Sequence, residues 1–214
     1  MERIMTGNKG FTLIELMIVM VISTMVMAGI YAIYDAQTTA RRNQMIVVDM
    51  MQNLRAGIYF MEREIRVAGF DPMQTADAGI TIANASDIQF TLDDDEDGII
   101  DPTAGADEQI MYRLNGTTLQ RQNGSGGFDE LAYNIDALRF YYFTANGTQT
   151  TNVDAIATVQ IAMVARGQSG EPGFTNNESY NVNLIDGTTP QVLAPQNDNV
   201  RRSMLTTAVR CRNL

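Results

Sequence analysis

The stretch that decides the fold is Lys9-Gly-Phe-Thr-Leu-Ile-Glu-Leu16, which joins a polar, basic N-terminal segment to a long apolar run. From Leu16 to Tyr34 no residue is charged, and these 19 residues are enough to cross a bilayer as a helix. Glu15 stands at the start of the run, where an ionisable side chain is costly and usually functional. The sequence therefore predicts a membrane-spanning helix with an acidic side chain of special purpose near its beginning.

Two simpler interpretations of this segment fit it less well. A secretory signal peptide has an apolar region of about 7–15 residues followed by a small-residue cleavage site. Here the run is longer, and no convincing site of that kind follows it. A plain signal anchor explains the apolar run but not Glu15. Two basic residues precede the run and two follow it closely, so charge alone does not decide its orientation.

The same junction resembles the processing signal of type IV prepilins and of the pseudopilins of type II secretion, with every motif position matched. The resemblance implies that residues 1–10 are a cytoplasmic leader, which a prepilin peptidase removes by cutting after Gly10. It implies methylation of the new N-terminal residue, Phe11, and a function for Glu15 in filament assembly. The processed chain would then stand in the inner membrane, single-pass with its C-terminal domain in the periplasm, before it reaches the pilus at the cell surface.

Beyond Asp35 apolar residues recur every three or four positions, which is typical of an amphipathic helix. Gly69, followed closely by Pro72, indicates where this helix stops. We therefore expect one helix with a transmembrane part (residues 11–34) and an amphipathic continuation (residues 35–69), followed by a globular β domain (residues 70–214). The expected fold class is α+β, with the long N-terminal α-helix packed on an antiparallel β-sheet.

From Phe70 onward, strand-like runs alternate with turn signals, of which Asn115-Gly116 is a strong hairpin signal. The polar connections 123–129 and 167–178 are expected to be exposed loops. The expected strands are Ile80–Ala83, Asp87–Leu92, Gln109–Leu114, Thr118–Gln122, Leu138–Phe143, Ala155–Ala165, Tyr180–Leu184 and Met204–Cys211.

Composition narrows the classes of function. The 214-residue chain has no histidine and one cysteine, Cys211, which excludes an intrachain disulfide, a Cys/His zinc cluster and histidine-based nucleophile pairs. No convergent catalytic set is visible, so we do not expect an enzyme. The net charge is −10, and without residues 1–10 it becomes −11, from 13 arginines and 24 acidic residues. Because a chain with this negative charge repels phosphate backbones, nucleic acid is not an expected partner.

The segment Asp93-Asp-Asp-Glu-Asp-Gly-Ile-Ile-Asp101 has the chemistry of a metal site. Acidic residues occupy alternate positions and glycine the sixth, as in an EF-hand-type calcium loop, but the twelfth position is Ala104 instead of a bidentate glutamate. A calcium site and a solvated acidic turn both remain open. The candidate ligands are the side chains of Asp93, Asp95, Asp97 and Asp101 and the backbone carbonyl of Ile99.

Downstream, the chain resembles PilW-type minor pilins and the related GspJ-type pseudopilin, in residues 90–102, 109–116, 119–121, 135–143 and 210–214. The resemblance implies a structural subunit that takes part in assembly or priming of a type IV pilus, at the inner membrane and at the filament tip. Other minor and major pilins, the prepilin peptidase and inner-membrane lipid would be its partners. Two alternatives remain, a type II secretion pseudopilin and a calcium-binding adhesin module at the filament tip.

Overall fold

A computed structural model describes residues 10–214, so the predicted leader lies outside the described residues except for Gly10. The first element of the described residues is one 53-residue helix, α1 (Leu13–Ile65). The chain divides into two compact units, Met1–Met45 and Ile46–Leu214.

In the first unit, α1 is apolar and exposed. Its mean hydropathy reaches 2.4 over an 18-residue window, and none of that window is buried by the rest of the chain. The helix is therefore long and apolar enough to cross a membrane. Side chains from Leu13 to Ile33 remain more than half exposed at nearly every large apolar position. Such a surface needs lipid or other protein to cover it.

In the second unit, one face of α1 is buried, and the buried positions recur with the helical period. They are Met50, Leu54, Gly57, Ile58, Met61 and Ile65. The regular helix ends at Ile65, where tight turns follow (Val67 N–H to Glu64 C=O, 3.1 Å). The helix was expected to continue almost to Gly69, so its observed end comes about three residues earlier; Gly69 adopts a left-handed conformation (φ +78°) at the end of these turns.

Ten strands follow, and they form three antiparallel sheets where a single sheet was expected. The first has the order β1-β2-β3-β4-β5, the second β10-β7-β6, and the third β8-β9. The strands are β1 (Ile80–Ala83), β2 (Asp87–Thr91), β3 (Gln109–Asn115), β4 (Thr118–Asn123), β5 (Phe128–Ala132), β6 (Ile135–Phe143), β7 (Thr158–Arg166), β8 (Tyr180–Asn181), β9 (Gln191–Leu193) and β10 (Arg202–Arg210).

Two of these strands were not predicted, and three predicted boundaries were wrong by three residues: β6 begins at Ile135 instead of Leu138, β8 ends at Asn181 instead of Leu184, and β7 begins later than expected. β5 begins inside the expected loop 123–129, because pairing with β4 overrides the low strand propensity of its acidic residues. β9 has only three residues, which is too short to leave a periodic signal. β7 begins at Thr158 instead of Ala155, since Asn152 caps a short 3₁₀ turn there.

β7 lies at the centre of the folded unit and is buried on both faces. Val159, Ile161 and Met163 belong to the core that contains the buried face of α1. Ala162 and Val164 belong to a second core, formed with β8 and β9. This double burial explains why seven consecutive residues of β7 are buried.

The C-terminal residues close the end of α1. The last carbonyl groups of a helix lack partners within it. Here the Arg212 N–H donates to the Arg66 carbonyl (3.1 Å), and the Asn213 side-chain amide donates to the Val67 carbonyl (3.3 Å). Leu214 lies against Gly69, where an added Cβ would come within 2.4 Å of the leucine side chain. Residues 212–214 are thus part of the folded unit.

Candidate processing site, assembly site and acidic loop

The start of α1 is organised by Thr12 and Glu15. The Thr12 backbone N–H and its hydroxyl both donate to Glu15 Oε2 at 2.9 Å, and the Glu15 N–H donates back to Thr12 Oγ1 at 3.3 Å. This reciprocal arrangement is a capping box, in which a threonine before the helix pairs with a glutamate three residues later. The sequence interpretation missed Thr12, although the Thr-x-x-Glu spacing signals it.

Gly10 and Phe11 precede the helix, and both are exposed. Phe11 is 88% exposed. An added Cβ at Gly10 would meet no atom within 4 Å, and its φ is not in the left-handed range. The fold therefore does not require glycine at position 10. A requirement for glycine there would come from whatever binds this segment, such as a peptidase that needs a small residue at the cut.

Glu15 is the one side chain between Phe11 and Tyr34 that is charged at neutral pH. Its carboxylate lies at the N-terminal end of α1, where the helix dipole favours negative charge. It is exposed, and Thr12 donates to one of its two oxygens. A carboxylate can accept about four hydrogen bonds, so this group can still bind a cation from outside the chain.

The acidic loop is organised around two buried carboxylates. Asp93 is fully buried, and its oxygens accept the N–H groups of Asp97 (3.1 Å) and Gly98 (3.0 Å). Glu108, directly before β3, is 2% exposed and accepts the Asp101 N–H at 2.6 Å. Gly98 has a φ of +80°, as the sharp turn at the sixth position of the motif requires.

The structure brings together only part of the predicted ligand set. Within residues 10–214, the acidic group that could hold a metal ion consists of Asp93, Asp95 and Glu108, whose carboxylate oxygens lie within 4.8 Å of one another. Asp97 instead accepts the Ile99 N–H (2.8 Å), and Asp101 accepts the N–H and hydroxyl of Thr103 (3.0 Å each).

Glu108 was missed because it lies outside the contiguous motif. Its position directly before a strand that pairs with β2 is the signal that could have identified it, because this pairing returns the chain to Asp93. The calcium site remains a prediction, with Glu108 added to its possible ligands.

The lone cysteine is not placed for chemistry. Cys211 is 3% exposed, and burial raises the pKa of its thiol from 9 to about 11. The thiolate, which is the nucleophilic form, is therefore scarce near neutral pH. Cys211 contributes to the core formed with α1.

Comparisons with known proteins agree with this geometry. Residues 43–184 match the family model described as prepilin peptidase-dependent protein B, and residues 5–31 match the prokaryotic N-terminal methylation motif. A type IV-like pilin from Thermus thermophilus superposes with a TM-score of 0.50 at 13% identity, covering 77% of this chain and 97% of that one. At this identity the likeness shows the fold alone. No curated protein matches the sequence.

Proposed function

The chain belongs to the prepilin peptidase-dependent protein B family, and on that premise we propose that it is a PilW-type minor pilin, which helps to assemble or prime a type IV pilus. The family is structural and non-enzymatic, and the chain combines an N-methylation motif with a pilin-like α+β fold. The observation that carries the proposal is an exposed apolar helix whose first turn holds an exposed carboxylate, Glu15.

Processing comes first in the proposed sequence of events. The peptidase cuts after Gly10 and methylates Phe11, which leaves a positively charged α-amino group just before α1. Support comes from the exposure of both residues and from the open space around Gly10. Intact-mass analysis of membrane-extracted chain tests this step, and retention of residues 1–10 in peptidase-positive cells would contradict it.

Assembly follows, with Glu15 as the residue that binds a neighbouring subunit. Within one chain its carboxylate accepts hydrogen bonds from Thr12. In a filament, the α-amino group of the Phe11 of an adjacent subunit would add a charged partner. In an apolar environment a carboxylate without such a partner is costly, so this pairing would favour one register of α1 against its neighbour.

Two substitutions separate the assembly role from helix capping. Glu15→Gln keeps the hydrogen-bonding pattern of a capping box, which accepts glutamine, but removes the charge. Thr12→Ala removes the capping partner and keeps the charge. We expect Glu15→Gln to lower recovery in sheared pili at least tenfold relative to the membrane pool, and Thr12→Ala to lower it little. Equal recovery of Glu15→Gln and wild type would contradict the role of Glu15.

Recovery with sheared filaments, together with deletion of the protein, distinguishes a pilus subunit from a type II secretion pseudopilin. A pilus subunit is recovered with sheared surface filaments, and its deletion lowers filament number. Deletion of a pseudopilin blocks secretion of exoproteins and leaves the surface pili unchanged. The second result would replace the minor-pilin proposal by the pseudopilin alternative.

We further propose that the acidic loop binds one calcium ion weakly. The supporting observation is that two buried carboxylates, Asp93 and Glu108, lie within 4.8 Å of each other and of Asp95. Clustered negative charges repel one another, and a cation relieves that repulsion. The twelfth motif position is an alanine, so the affinity should fall near the 10⁻⁴–10⁻³ M range of extracellular modules.

Asp95→Asn and Asp94→Asn form a matched pair for this test, because both residues are exposed and only Asp95 belongs to the cluster. The full chain in detergent is stripped with chelator and titrated with calcium in a calorimeter, with a melting curve at each end point. We expect Asp95→Asn to weaken binding and Asp94→Asn to preserve it. If millimolar calcium gives neither heat nor a shift in melting, the loop is a solvated turn.

A further inference from the structure

Strand β10 is an edge strand with an unusually regular register. It pairs with β7 through nine consecutive residues, from Arg202 opposite Arg166 to Arg210 opposite Thr158, with no irregularity. In the second sheet its other side pairs with no strand of residues 10–214. An edge of this kind presents a row of backbone donors and acceptors that fits another extended chain.

The outward-pointing groups of β10 can be assigned from its neighbours. In an antiparallel pair, residues alternately direct both N–H and C=O toward the partner strand or away from it. Cys211 N–H donates to Ala157, and the Arg201 carbonyl accepts from Gly167, so odd-numbered residues face β7. The groups of Met204, Thr206 and Ala208 therefore point away from the sheet. Thr206 and Ala208 are also exposed, so this face of the strand is open to solvent.

The other sheet edges differ from β10 in a way that protects them. β1, β5 and β6 each carry an extra residue in their pairing: Thr81, Leu131 and Asp136. Bulges bend and twist an edge and block the addition of a further strand. The two-stranded sheet is irregular as well. Among the sheets of the described chain, β10 alone keeps an unbroken edge.

Free positive charge lies at one end of this edge. Arg202, at the start of β10, is paired with Asp136 and Asp198 (2.6 Å each), so its charge is already neutralised. Arg210 and Arg212, at the other end, are exposed and have no ion-pair partner within residues 10–214. They line a cavity of about 610 Å³ that Arg66 also lines. On a chain with net charge −10, this local cluster selects for carboxylates.

We propose that the β10 edge binds an extended segment of a neighbouring filament subunit, which adds a strand to the sheet and places carboxylates against Arg210 and Arg212. The backbone of Met204, Thr206 and Ala208 supplies the affinity, and the two arginines supply the choice of partner and its direction. This proposal rests on the proposed function, because the partner is taken to be another subunit of the same filament.

Thr206→Pro removes a backbone N–H that points away from the sheet, so no hydrogen bond to β7 is lost. Edge strands tolerate proline at positions where the N–H faces solvent. Thr206→Val keeps the N–H and is the matched control. A photo-crosslinking residue at position 208 of the full chain reports the neighbour in assembled filaments, and mass spectrometry identifies the captured segment. We expect an acidic segment of another subunit, with at least tenfold less product for Thr206→Pro or for Arg210→Gln combined with Arg212→Gln.

Amide hydrogen exchange on the unmodified chain gives a second measurement that does not depend on the folding of a variant. In filaments, the amides of Met204, Thr206 and Ala208 should exchange at least tenfold more slowly than in the purified chain. Two results would overturn the edge proposal alone. One is equal exchange of these amides in filaments and in the purified chain. The other is an unchanged crosslink in filaments that contain the Thr206→Pro chain. Absence of the chain from filaments would overturn the proposed function, and the edge proposal with it.

Discussion

Replacement of Glu64 by alanine should loosen the attachment of α1 to the five-stranded sheet. Glu64 Oε2 accepts the Tyr112 hydroxyl at 2.5 Å and Arg121 Nε at 3.0 Å. Burial raises the pKa of Tyr112 and Glu64 raises it further, so the phenol keeps its proton. Burial alone would lower the pKa of Arg121, but Glu64 and Asp107 outweigh it and raise that pKa, so the guanidinium stays charged.

The expected loss of stability follows from the burial of the side chains that Glu64→Ala would leave without this partner. Tyr112 is fully buried, and the side chains of Arg121 and Glu64 are only 15% and 20% exposed. Removing one partner of a buried ion pair costs about 3–5 kcal/mol. Asp107 still binds Arg121 (3.0 Å), which moderates the loss. We therefore expect Glu64→Ala to lower the free energy of unfolding by about 3 kcal/mol, or roughly 6–12 °C in melting temperature for a chain of this size.

Glu62→Ala is the matched control on the same helix. Glu62 pairs with Arg66 at the surface, where both side chains are more than a third exposed, so the loss should stay below about 1 kcal/mol. Melting of the full chain in detergent is followed by near-ultraviolet circular dichroism of the tyrosines, because the chain has no tryptophan. A Glu64→Ala loss no larger than that of Glu62→Ala would refute the reasoning.

Two further predictions concern packing and pH. Gly57→Leu should destabilise the folded unit by about 1–3 kcal/mol, because an added Cβ would lie 2.8 Å from Leu119 Cδ2 and 3.0 Å from Met163 Cε. Gly29→Leu is the control, since an added Cβ there meets no atom within 4 Å and should not destabilise the unit. Melting curves compare the two variants. The raised pKa of Cys211 means that the folded chain holds the thiol proton more tightly, so its stabilisation is present below about pH 9 and disappears as pH rises toward 11. The test measures the free energy of unfolding of the wild-type chain and of Cys211→Ala from pH 8 to 11. A difference between the two proteins that stayed constant over this range would contradict the prediction.

Local features of the fold were predictable because their causes are local. The buried stripe of α1 follows from a period of 3.6, and the left-handed turn shortly after its end follows from Gly69, which adopts this conformation without strain. The hairpin between β3 and β4 follows from Asn115-Gly116: Asn115 pairs with Thr118, and Gly116 has a φ of +61°. In each case a few adjacent residues determine the geometry.

The division into three sheets was not predictable from such signals. β10 pairs with β7 across a separation of about 40 residues, and nothing in either strand specifies the other as its neighbour. What selects the arrangement is burial: β7 is apolar on both faces and needs a core on each side. The sequence shows this as an apolar run, but it does not show which elements supply the two cores.

At the candidate assembly site, too, the sequence pattern did not show the contacts that the residue makes in the fold. The prepilin-like motif identifies Glu15 by resemblance, whereas the structure shows that its carboxylate already closes the first turn of α1 through Thr12. A residue with a partner inside its own chain keeps that partner on binding a charged group outside it only if the second interaction adds to the first. The exposed carboxylate permits this addition, because Thr12 donates to only one of its oxygens. We therefore expect capping and assembly to be separable at Glu15, with the hydrogen bonds serving the helix and the charge serving the filament.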